Sequence, residues 1–329
     1  MNRLSKNARN LRVGLESDLK KIGVIGGGCY GTALAQRFSR VVDEVCVVES
    51  NSKIVSSVSR NHVNEVSLPN VHLNDNIFYT QDESDLNNSE VIFIVVPANF
   101  VESACNQIKD STMPVVLCSK GFDLENRRLL SDLVAEQLSN DLLFLSGPSF
   151  ATEIAKGLPA KINLAGKNFK QCSSIAEKLC SDSFKVEPIS DMIGLQVAAA
   201  LKNVLAIGCG ILYGKNLGQS AAAQFIVKGV QEMKQIAEFL GGYAETLDKV
   251  GALGDIILTC TSLQSRNMTF GKFLAEGGSL KTWDKALAEG IFSSKFIANL
   301  KYPGKVLYRI YQVIHGQISV ESFLTAVFE

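Results

Sequence analysis

The feature that most constrains this chain is the stretch KIGVIGGGCYGTALAQRF, residues 21–38, where glycines crowd the junction between a β-branched run and a helix-like segment. Glycine inside either element costs about 0.5–1 kcal/mol relative to alanine, so the backbone needs these glycines for another reason. Gly26, Gly28 and Gly31 form the pattern G-x-G-x-x-G, directly after a predicted strand and at the start of a predicted helix.

This context predicts a turn that binds a dinucleotide. Gly26 would allow the tight turn, Gly28 would admit a pyrophosphate to the backbone, and Gly31 would let the helix pack on the strand, with the anion at the helix N-terminus. The alternative is a structural turn between strand and helix that binds no ligand.

The next predicted strand ends in VVES and places Glu49 18 residues after Gly31. An acidic residue at about this distance accepts hydrogen bonds from the adenine ribose hydroxyls. A carboxylate also repels the 2′-phosphate of NADP, and no arginine follows at once in ESNSK. The sequence therefore favours NAD over NADP, although Glu49 could also be a solvated residue at a strand end.

The chain divides into two parts of different character. Short apolar runs alternate with helix-length segments from Lys21 onward, with further buried strands predicted at 91–97, 114–119 and 141–147. Such runs are typical of a parallel sheet covered on both faces. After about residue 190 the periodicity becomes helical, and the glycine pairs at 241–242 and 277–278 are placed as helix C-caps.

These patterns predict an α/β protein with an N-terminal Rossmann-like doubly wound sheet followed by an all-helical C-terminal domain. The expected division is an N-terminal extension at 1–20, a dinucleotide-binding domain at 21–190 and a helical substrate domain at 191–329. An exposed apolar face on the helical domain could support a homodimer.

Composition narrows the possible partners and compartments. Thirty-three basic residues balance thirty-three acidic ones, so neither nucleic acid nor a membrane surface is a predicted partner. The eight cysteines contain no CxxC pair, which indicates reduced thiols in a cytoplasmic protein, and no metal site is predicted. The first twenty residues lack the apolar core of a secretory signal, and no 18-residue apolar window is uninterrupted, which argues against a membrane span.

Lys202 is the most informative single residue, because it interrupts the apolar helical segment QVAAALKNVLAIG together with an asparagine. An unpaired buried ammonium is strongly disfavoured. Desolvation, or a second cation such as Lys120, would lower its pKa and make it a competent proton donor or acceptor. The alternative is a lysine that reaches the surface while only its stem is buried.

Two loops follow predicted strand ends, where open α/β sheets place their ligands. The segment CSKGFD carries Lys120, and LSGPSFATEIAKG carries Gly147 and Ser149. Each loop also has a plain interpretation, since Lys120 could be an ordinary loop cation and Ser149 could lie near a helix N-cap.

A fourth cluster lies in GALGDIILTCTSLQSRN, residues 251–267. Asp255 follows a glycine turn, and Ser265, Arg266 and Asn267 form a compact set of hydrogen-bond donors. An arginine between small donors suits a phosphate, because its fork binds two oxygens. A solvated loop is the alternative.

Six segments carry a resemblance to a known family when taken in order: IGGGCYGTALA, VVPANF, CSKGF, SGPSFATEIAKGLP, ALKNVLAIGCG and GALGDIILTCTSLQSRN. Over roughly residues 20–315 the sequence resembles the soluble, bacterial-type NAD(P)-dependent sn-glycerol-3-phosphate dehydrogenases. The resemblance implies reversible reduction of dihydroxyacetone phosphate to sn-glycerol 3-phosphate, which supplies glycerophospholipid synthesis.

The resemblance also implies roles for individual residues. Lys202 would be the proton acceptor in the oxidation direction, with Lys120 and Asp255 beside it in the active site. The implied substrate contacts are Lys120, Gly147, Ser149, Asp255, Ser265, Arg266 and Asn267. The implied cofactor contacts, beyond the glycines and Glu49, are Cys29, Tyr30, Lys120, Ala151, Arg266, Leu287 and Glu289.

Two other functions remain open at this point. A β-hydroxyacid dehydrogenase of the same architecture can also use a helix lysine with a nearby asparagine, although the QSRN cluster and the paired lysines argue against it. A cofactor-binding regulator without turnover would keep the glycine loop but has no need of Lys202 inside a helix.

Overall fold

The computed structural model describes residues 19–285, 288–300 and 305–328, and the first half of the chain forms an eight-stranded sheet. In chain order the strands are β1 (Lys21–Ile25), β2 (Glu44–Val48), β3 (Ile77–Thr80), β4 (Val91–Ile94), β5 (Val115–Leu117), β6 (Phe122–Asp123), β7 (Arg128–Leu129), β8 (Leu142–Ser146), β9 (Ala160–Gly166) and β10 (Phe184–Ile189). The sheet order is β10-β9-β8-β5-β4-β1-β2-β3, while β6 and β7 form a separate short hairpin.

The sheet is parallel, as predicted, except at one pair of strands. All neighbours are parallel except β8 and β9, which pair antiparallel from Leu143 with Gly166 to Ser146 with Asn163. Only a short segment with one helix, residues 147–159, joins these two strands, and such a connection lets the chain return beside β8 in the opposite direction. The strands β3, β9 and β10 were not predicted, because β3 is only 4 residues long and polar residues interrupt the apolar runs of β9 and β10.

Helices cover the sheet and then form the whole of the second half that the structure describes. The helices around the sheet are α1 (Cys29–Phe38), α2 (Ser52–Asn61), α3 (Val101–Asn106), α4 (Leu130–Gln137), α5 (Ala151–Lys156) and α6 (Phe169–Leu179). The later helices are α7 (Met192–Gly214), α8 (Gly218–Phe239), α9 (Asp255–Cys260), α10 (Arg266–Ala275), α11 (Glu289–Asn299), α12 (Val306–Ile314) and α13 (Val320–Phe328). The predicted fold class, a Rossmann-like domain followed by a helical domain, is confirmed.

The long helix α7 is the centre of the helical half. Its length and mean hydropathy of 1.7 are those of a helix that could cross a membrane, yet its whole apolar window is buried inside the protein. The helices α8, α9, α10 and α11 pack around it. Burial by these neighbours explains the hydropathy, because a helix that is apolar all round needs cover on every side.

The predicted helix C-cap positions of two glycines are confirmed in the structure. Gly241 and Gly277 have φ values of 91° and 92° and follow α8 and α10, as C-cap glycines do. All eight cysteines are free thiols, and six of them are buried, whereas Cys29 is exposed and Cys180 is half-buried.

Candidate active site

In the glycine loop between β1 and α1, close backbone contacts require glycine at two positions, and open space lies beside a third. Gly26 has φ +103°, and a Cβ on it would lie 2.6 Å from the carbonyl oxygen of Val95. A Cβ on Gly31 would lie 1.9 Å from the carbonyl oxygen of Gly26, whereas one on Gly28 would meet no atom within 4 Å. The space at Gly28, beside an α1 N-terminus without a side-chain cap, fits the pyrophosphate of a dinucleotide.

A buried polar network holds the loop in shape. The carbonyl of Gly27 accepts hydrogen bonds from the Asn64 amide at 2.8 Å and the Thr32 hydroxyl at 3.0 Å. The Tyr79 hydroxyl lies 2.8 Å from that of Thr32. Asn64, Thr32 and Tyr79 escaped the sequence prediction, since two of them lie 37 and 47 residues from the groups that they hold.

Glu49 lies just after the end of β2, beside this loop. One carboxylate oxygen accepts the Gly27 N–H at 2.7 Å, and the other accepts the Asn51 N–H at 2.8 Å. The residue is therefore a brace for the glycine loop rather than a free solvated strand end. Its predicted contact with a ribose stays a prediction.

Lys120, Lys202 and Asp255 come together although the sequence separates them widely. The Asp255 carboxylate accepts from Lys202 Nζ at 2.5 Å on one oxygen and from Lys120 Nζ at 3.0 Å on the other. Asp255 is 2% exposed and Lys202 is 5% exposed. Lys202 is thus buried along its full length, which rules out the interpretation that its ammonium reaches the surface.

Burial and mutual charge set the ionisation of this cluster. Burial lowers the pKa of Lys202, and the Lys120 cation adds to this against the attraction of Asp255, so that the pKa falls to about 8. Burial alone would lower the pKa of Lys120 too, but the Asp255 carboxylate outweighs it and raises that pKa above its usual value. Burial alone would raise the pKa of Asp255, but the two ammonium groups hold it below its usual value. One lysine can exchange a proton near neutral pH while the other stays charged.

Thr259 is a fourth member of the cluster that sequence reasoning missed. Its hydroxyl accepts from Lys202 Nζ at 3.0 Å and donates to the Asp255 carbonyl at 2.7 Å. Asp255 and Thr259 are four positions apart on α9, so helical spacing from Asp255 could have identified Thr259.

A π-helical turn, Val250–Gly254, leads into α9 and fixes the position of Asp255. The Gly251 N–H donates to the side chain of Asn163 on β9 at 2.6 Å. A Cβ on Gly251 would lie 2.7 Å from the carbonyl oxygen of Ser146 on β8. The turn therefore sits directly on the sheet, at the strand ends where open α/β sheets bind ligands.

Tyr30 connects the glycine loop with the loop that follows β8. Its hydroxyl lies 3.1 Å from Ser149 Oγ, and Ser149 Oγ donates to the Gly147 carbonyl at 2.7 Å. Lys120 Nζ lies 5.7 Å from the centre of the Tyr30 ring. Ala151 is the first residue of α5, just after this loop.

The start of α10 holds the predicted phosphate cluster. Ser265 caps the helix, with its hydroxyl accepting the Met268 N–H at 3.4 Å. Arg266 is exposed, and its guanidinium makes no hydrogen bond or ion pair with the residues that the structure describes. Burial raises the pKa of the Cys29 thiol and the Arg266 charge lowers it, so Arg266 faces the start of α1.

Asn267 differs from Arg266, because neighbouring groups already bind its side-chain amide. Its nitrogen donates to Asn203 at 2.9 Å, and its oxygen accepts the Gly290 N–H at 2.9 Å. Asn203 donates in turn to the Glu289 carboxylate at 3.2 Å. Asn203 thus joins the site as a residue that the sequence prediction did not include, and the predicted contact Leu287 lies outside the described residues.

Comparison with models of known protein families gives a match for both parts of the chain. Two family models match, the NAD-dependent glycerol-3-phosphate dehydrogenase N-terminus at residues 21–172 and its C-terminus at residues 191–325. The chain belongs to the NAD-dependent glycerol-3-phosphate dehydrogenase family.

Relatives in this family match over nearly the whole chain. Glycerol-3-phosphate dehydrogenase [NAD(P)+] of Erythrobacter litoralis is 36% identical over 303 residues, or 91% of this chain and 92% of the relative. That of Caulobacter vibrioides is 35% identical over 319 residues, or 94% and 96%. The crystal structure of glycerol-3-phosphate dehydrogenase from Coxiella burnetii superimposes with a TM-score of 0.87 at 30% identity, over 94% of this chain and 99% of that one.

Proposed function

We propose that the protein catalyses the reversible NAD(P)H-dependent reduction of dihydroxyacetone phosphate to sn-glycerol 3-phosphate. The observation that carries this function is the pair of lysines that shares the buried Asp255 carboxylate. Membership of the glycerol-3-phosphate dehydrogenase family supports the substrate. When bound, the nicotinamide supplies or accepts the hydride at C2 of the substrate.

Lys202 is the proposed proton donor to the substrate carbonyl oxygen during reduction. A pKa lowered to about 8 keeps its ammonium largely protonated at neutral pH while leaving it able to give up a proton. In the oxidation direction the neutral amine accepts the hydroxyl proton. Asp255 and Thr259 orient the amine through their hydrogen bonds.

Lys120 is the proposed fixed cation of the site. Its pKa is raised by Asp255 against the effect of burial, so it keeps its charge throughout. A fixed cation stabilises the negative charge that develops on the carbonyl oxygen, and it does so without reorganisation at the moment of reaction.

Arg266 is the proposed anchor of the substrate phosphate, with Ser265 and Asn267 beside it at the start of α10. Its guanidinium is exposed and unpaired among the described residues, whereas the Asn267 amide is already bound on both sides. Binding a remote phosphate orients C2, which turns binding energy into rate. Gly147 and Ser149 are proposed to contact the rest of the substrate.

The proposed cofactor site extends from the glycine loop along the carboxyl ends of the parallel strands. The residues assigned to it are Gly26, Gly28, Cys29, Tyr30, Gly31, Glu49, Lys120, Ala151, Arg266 and Glu289. Glu49 gives a preference for NAD over NADP, because its carboxylate repels a 2′-phosphate.

Several broader features complete the proposal. Residues 21–190 bind the dinucleotide and residues 191–329 contribute the substrate helices. The enzyme works in the cytoplasm, supplies glycerophospholipid synthesis and forms a homodimer, without nucleic acid or membrane partners.

The direct test uses the purified full chain with dihydroxyacetone phosphate as substrate. Oxidation of NADH is monitored as the loss of NADH absorbance. We expect turnover with this substrate and poor turnover with dihydroxyacetone, which lacks the phosphate. A β-oxoacid that NADH reduced faster than dihydroxyacetone phosphate would instead support the rival enzyme of the same architecture. Folded protein without any rate above background, with either NADH or NADPH, would refute the proposal.

A further inference from the structure

The hydroxyl of Ser149 has a defined direction in this structure. A serine hydroxyl carries one hydrogen and can donate one hydrogen bond. Ser149 Oγ donates it to the Gly147 carbonyl at 2.7 Å, since a carbonyl can only accept. The Tyr30 hydroxyl, 3.1 Å away, must therefore be the donor in its bond with Ser149 Oγ.

The surroundings of Tyr30 keep its hydroxyl in the donor role. Burial raises the pKa of Tyr30 to about 12, although the Lys120 cation acts in the opposite sense, so the phenol keeps its proton at any working pH. Tyr30 lies in the first turn of α1, and the glycine loop fixes the position of this helix. Lys120 Nζ lies 5.7 Å from the centre of the Tyr30 ring. A cation over the ring face further limits how the side chain can move.

These two bonds leave Ser149 with a single capacity for another partner. Its hydrogen is committed to Gly147 and one lone pair to Tyr30, so only the second lone pair remains. Ser149 can therefore accept a hydrogen bond from a ligand but cannot donate one. A phosphate dianion offers only acceptors and is a poor partner, whereas an alcohol offers a hydrogen.

We infer that Ser149 selects the hydroxyl end of the substrate, the C1 alcohol of dihydroxyacetone phosphate, and that Tyr30 is the positioning residue that fixes Ser149 as an acceptor. This inference rests on the proposed function and adds an orientation to it. The phosphate lies toward Arg266, and the C1 alcohol lies toward the loop after β8. An unpaired acceptor at Ser149 penalises any substrate without that alcohol.

The experiment compares dihydroxyacetone phosphate with hydroxyacetone phosphate, which keeps the ketone and the phosphate but lacks the C1 hydroxyl. The wild type should prefer the first substrate in kcat/KM by about five- to tenfold, as expected for one lost hydrogen bond to a half-buried acceptor. Ser149→Ala should bring this ratio close to one. Tyr30→Phe should reduce it by about two- to threefold, because Ser149 is then free to turn.

Tyr308→Phe is the matched control, since it removes a tyrosine hydroxyl on α12, away from α1 and the loop after β8, which carry Tyr30 and Ser149. Its substrate ratio should equal that of the wild type. The shift in melting temperature that each phosphate compound produces gives a second readout that needs no turnover. In the wild type, dihydroxyacetone phosphate should produce the larger shift in melting temperature. In Ser149→Ala, the two compounds should produce equal shifts.

The outcomes separate this inference from the proposed function. A wild type inactive on both compounds would refute the proposed function and this inference with it. An active wild type whose ratio survived Ser149→Ala, with both substrates weakened equally, would overturn the inference alone and assign Ser149 to the shared phosphate or to the fold. If Ser149→Ala abolished the preference for dihydroxyacetone phosphate but Tyr30→Phe left it unchanged, Tyr30 would not be the positioning residue.

Discussion

The glycine loop and the lysine cluster lie at the same edge of the sheet but are built in different ways. The loop is encoded almost wholly in residues 26–31, where steric contacts between backbone atoms require glycine at two positions. The lysine cluster draws Lys120, Lys202 and Asp255 from three distant parts of the chain, and only charge and burial hold them together. The first region tolerates little change in shape, and the second tolerates little change in charge.

The difference predicts different consequences of mutation. A change in the loop acts on where the cofactor can lie, through atoms that are neighbours in sequence. A change in the cluster alters the ionisation of every other member, because each buried charge depends on the others. Substitutions in the cluster should therefore have the larger effects.

Asp255→Asn should have the largest effect of all. It removes the only carboxylate bonded to both ammonium groups in the cluster and leaves two cations in a buried site, a loss typically of about 3 kcal/mol or more in the free energy of unfolding. Chemical denaturation with urea at pH 7 measures this loss.

The pH dependence of this loss provides the check. Without Asp255 both lysines have folded-state pKa values below their unfolded values, so the folded state gains stability as pH rises through those values and the lysines lose their charge. The deficit should thus be smaller at pH 9.5 than at pH 7. A deficit that does not depend on pH would mean that packing, not charge, is what Asp255 contributes.

Lys202→Met should lower kcat by at least about 10²-fold, the lower end of what general acid–base catalysis contributes. Methionine fills the place of the buried stem, so NADH binding, measured by fluorescence titration, should stay near that of the wild type. Lys234→Met is the matched control, because Lys234 pairs with Asp248 at the surface and its loss should leave kcat unchanged.

The wild-type pH profile tests the same role without a mutation. Reduction needs the protonated amine, so its kcat should fall as pH rises through about 8, while oxidation of glycerol 3-phosphate should rise over the same range. Lys202→Met should abolish this dependence in its residual activity. A profile without a step near pH 8 would contradict the assignment of Lys202 as the proton donor.

How far the sequence predicts each region follows from the same contrast. The glycine loop, five of the strands and the helices α7, α8 and α10 were predictable, because their patterns lie within short stretches of sequence. The five strands are β1, β2, β4, β5 and β8. Lys202 could be singled out because a lysine is rare in an apolar helix, and Thr259 could have been found from its helical spacing to Asp255.

The parts that escaped prediction depend on distant contacts. The antiparallel return of β9 is fixed by pairing with β8 and by the short segment between them, not by any local pattern. Asn64 and Tyr79 act on Gly27 and Thr32 through the folded structure alone. The commitment of the Asn267 amide to Asn203 and Gly290 likewise appears only when three helices are packed.

Arg266→Ala should have an intermediate effect, because Arg266 is exposed and faces Cys29 at the glycine loop, outside the buried cluster. A charge-assisted hydrogen bond contributes roughly 1.5–3 kcal/mol, so the KM for dihydroxyacetone phosphate should rise on the order of tenfold or more. Arg266→Lys should restore only part of this loss, since a point charge replaces a two-pronged donor.

Dihydroxyacetone without the phosphate is the control substrate for this prediction. It should be a poor substrate for the wild type and nearly indifferent to Arg266→Ala. Equal losses on both substrates would mean that Arg266 acts through the cofactor or the fold, and that the phosphate is held elsewhere.

Glu49→Ser should have the smallest effect and tests the loop side of the comparison. Glu49 accepts the N–H groups of Gly27 and Asn51, so it both braces the loop and carries the charge that disfavours a 2′-phosphate. Its removal should reduce the preference of kcat/KM for NADH over NADPH by a few-fold, because water and salt partly screen a half-buried charge. Glu44→Ser is the matched control, since it removes a carboxylate at the far end of the same strand. A wild type that already prefers NADPH, or an equal change in both variants, would show that the carboxylate at position 49 does not set the choice of cofactor.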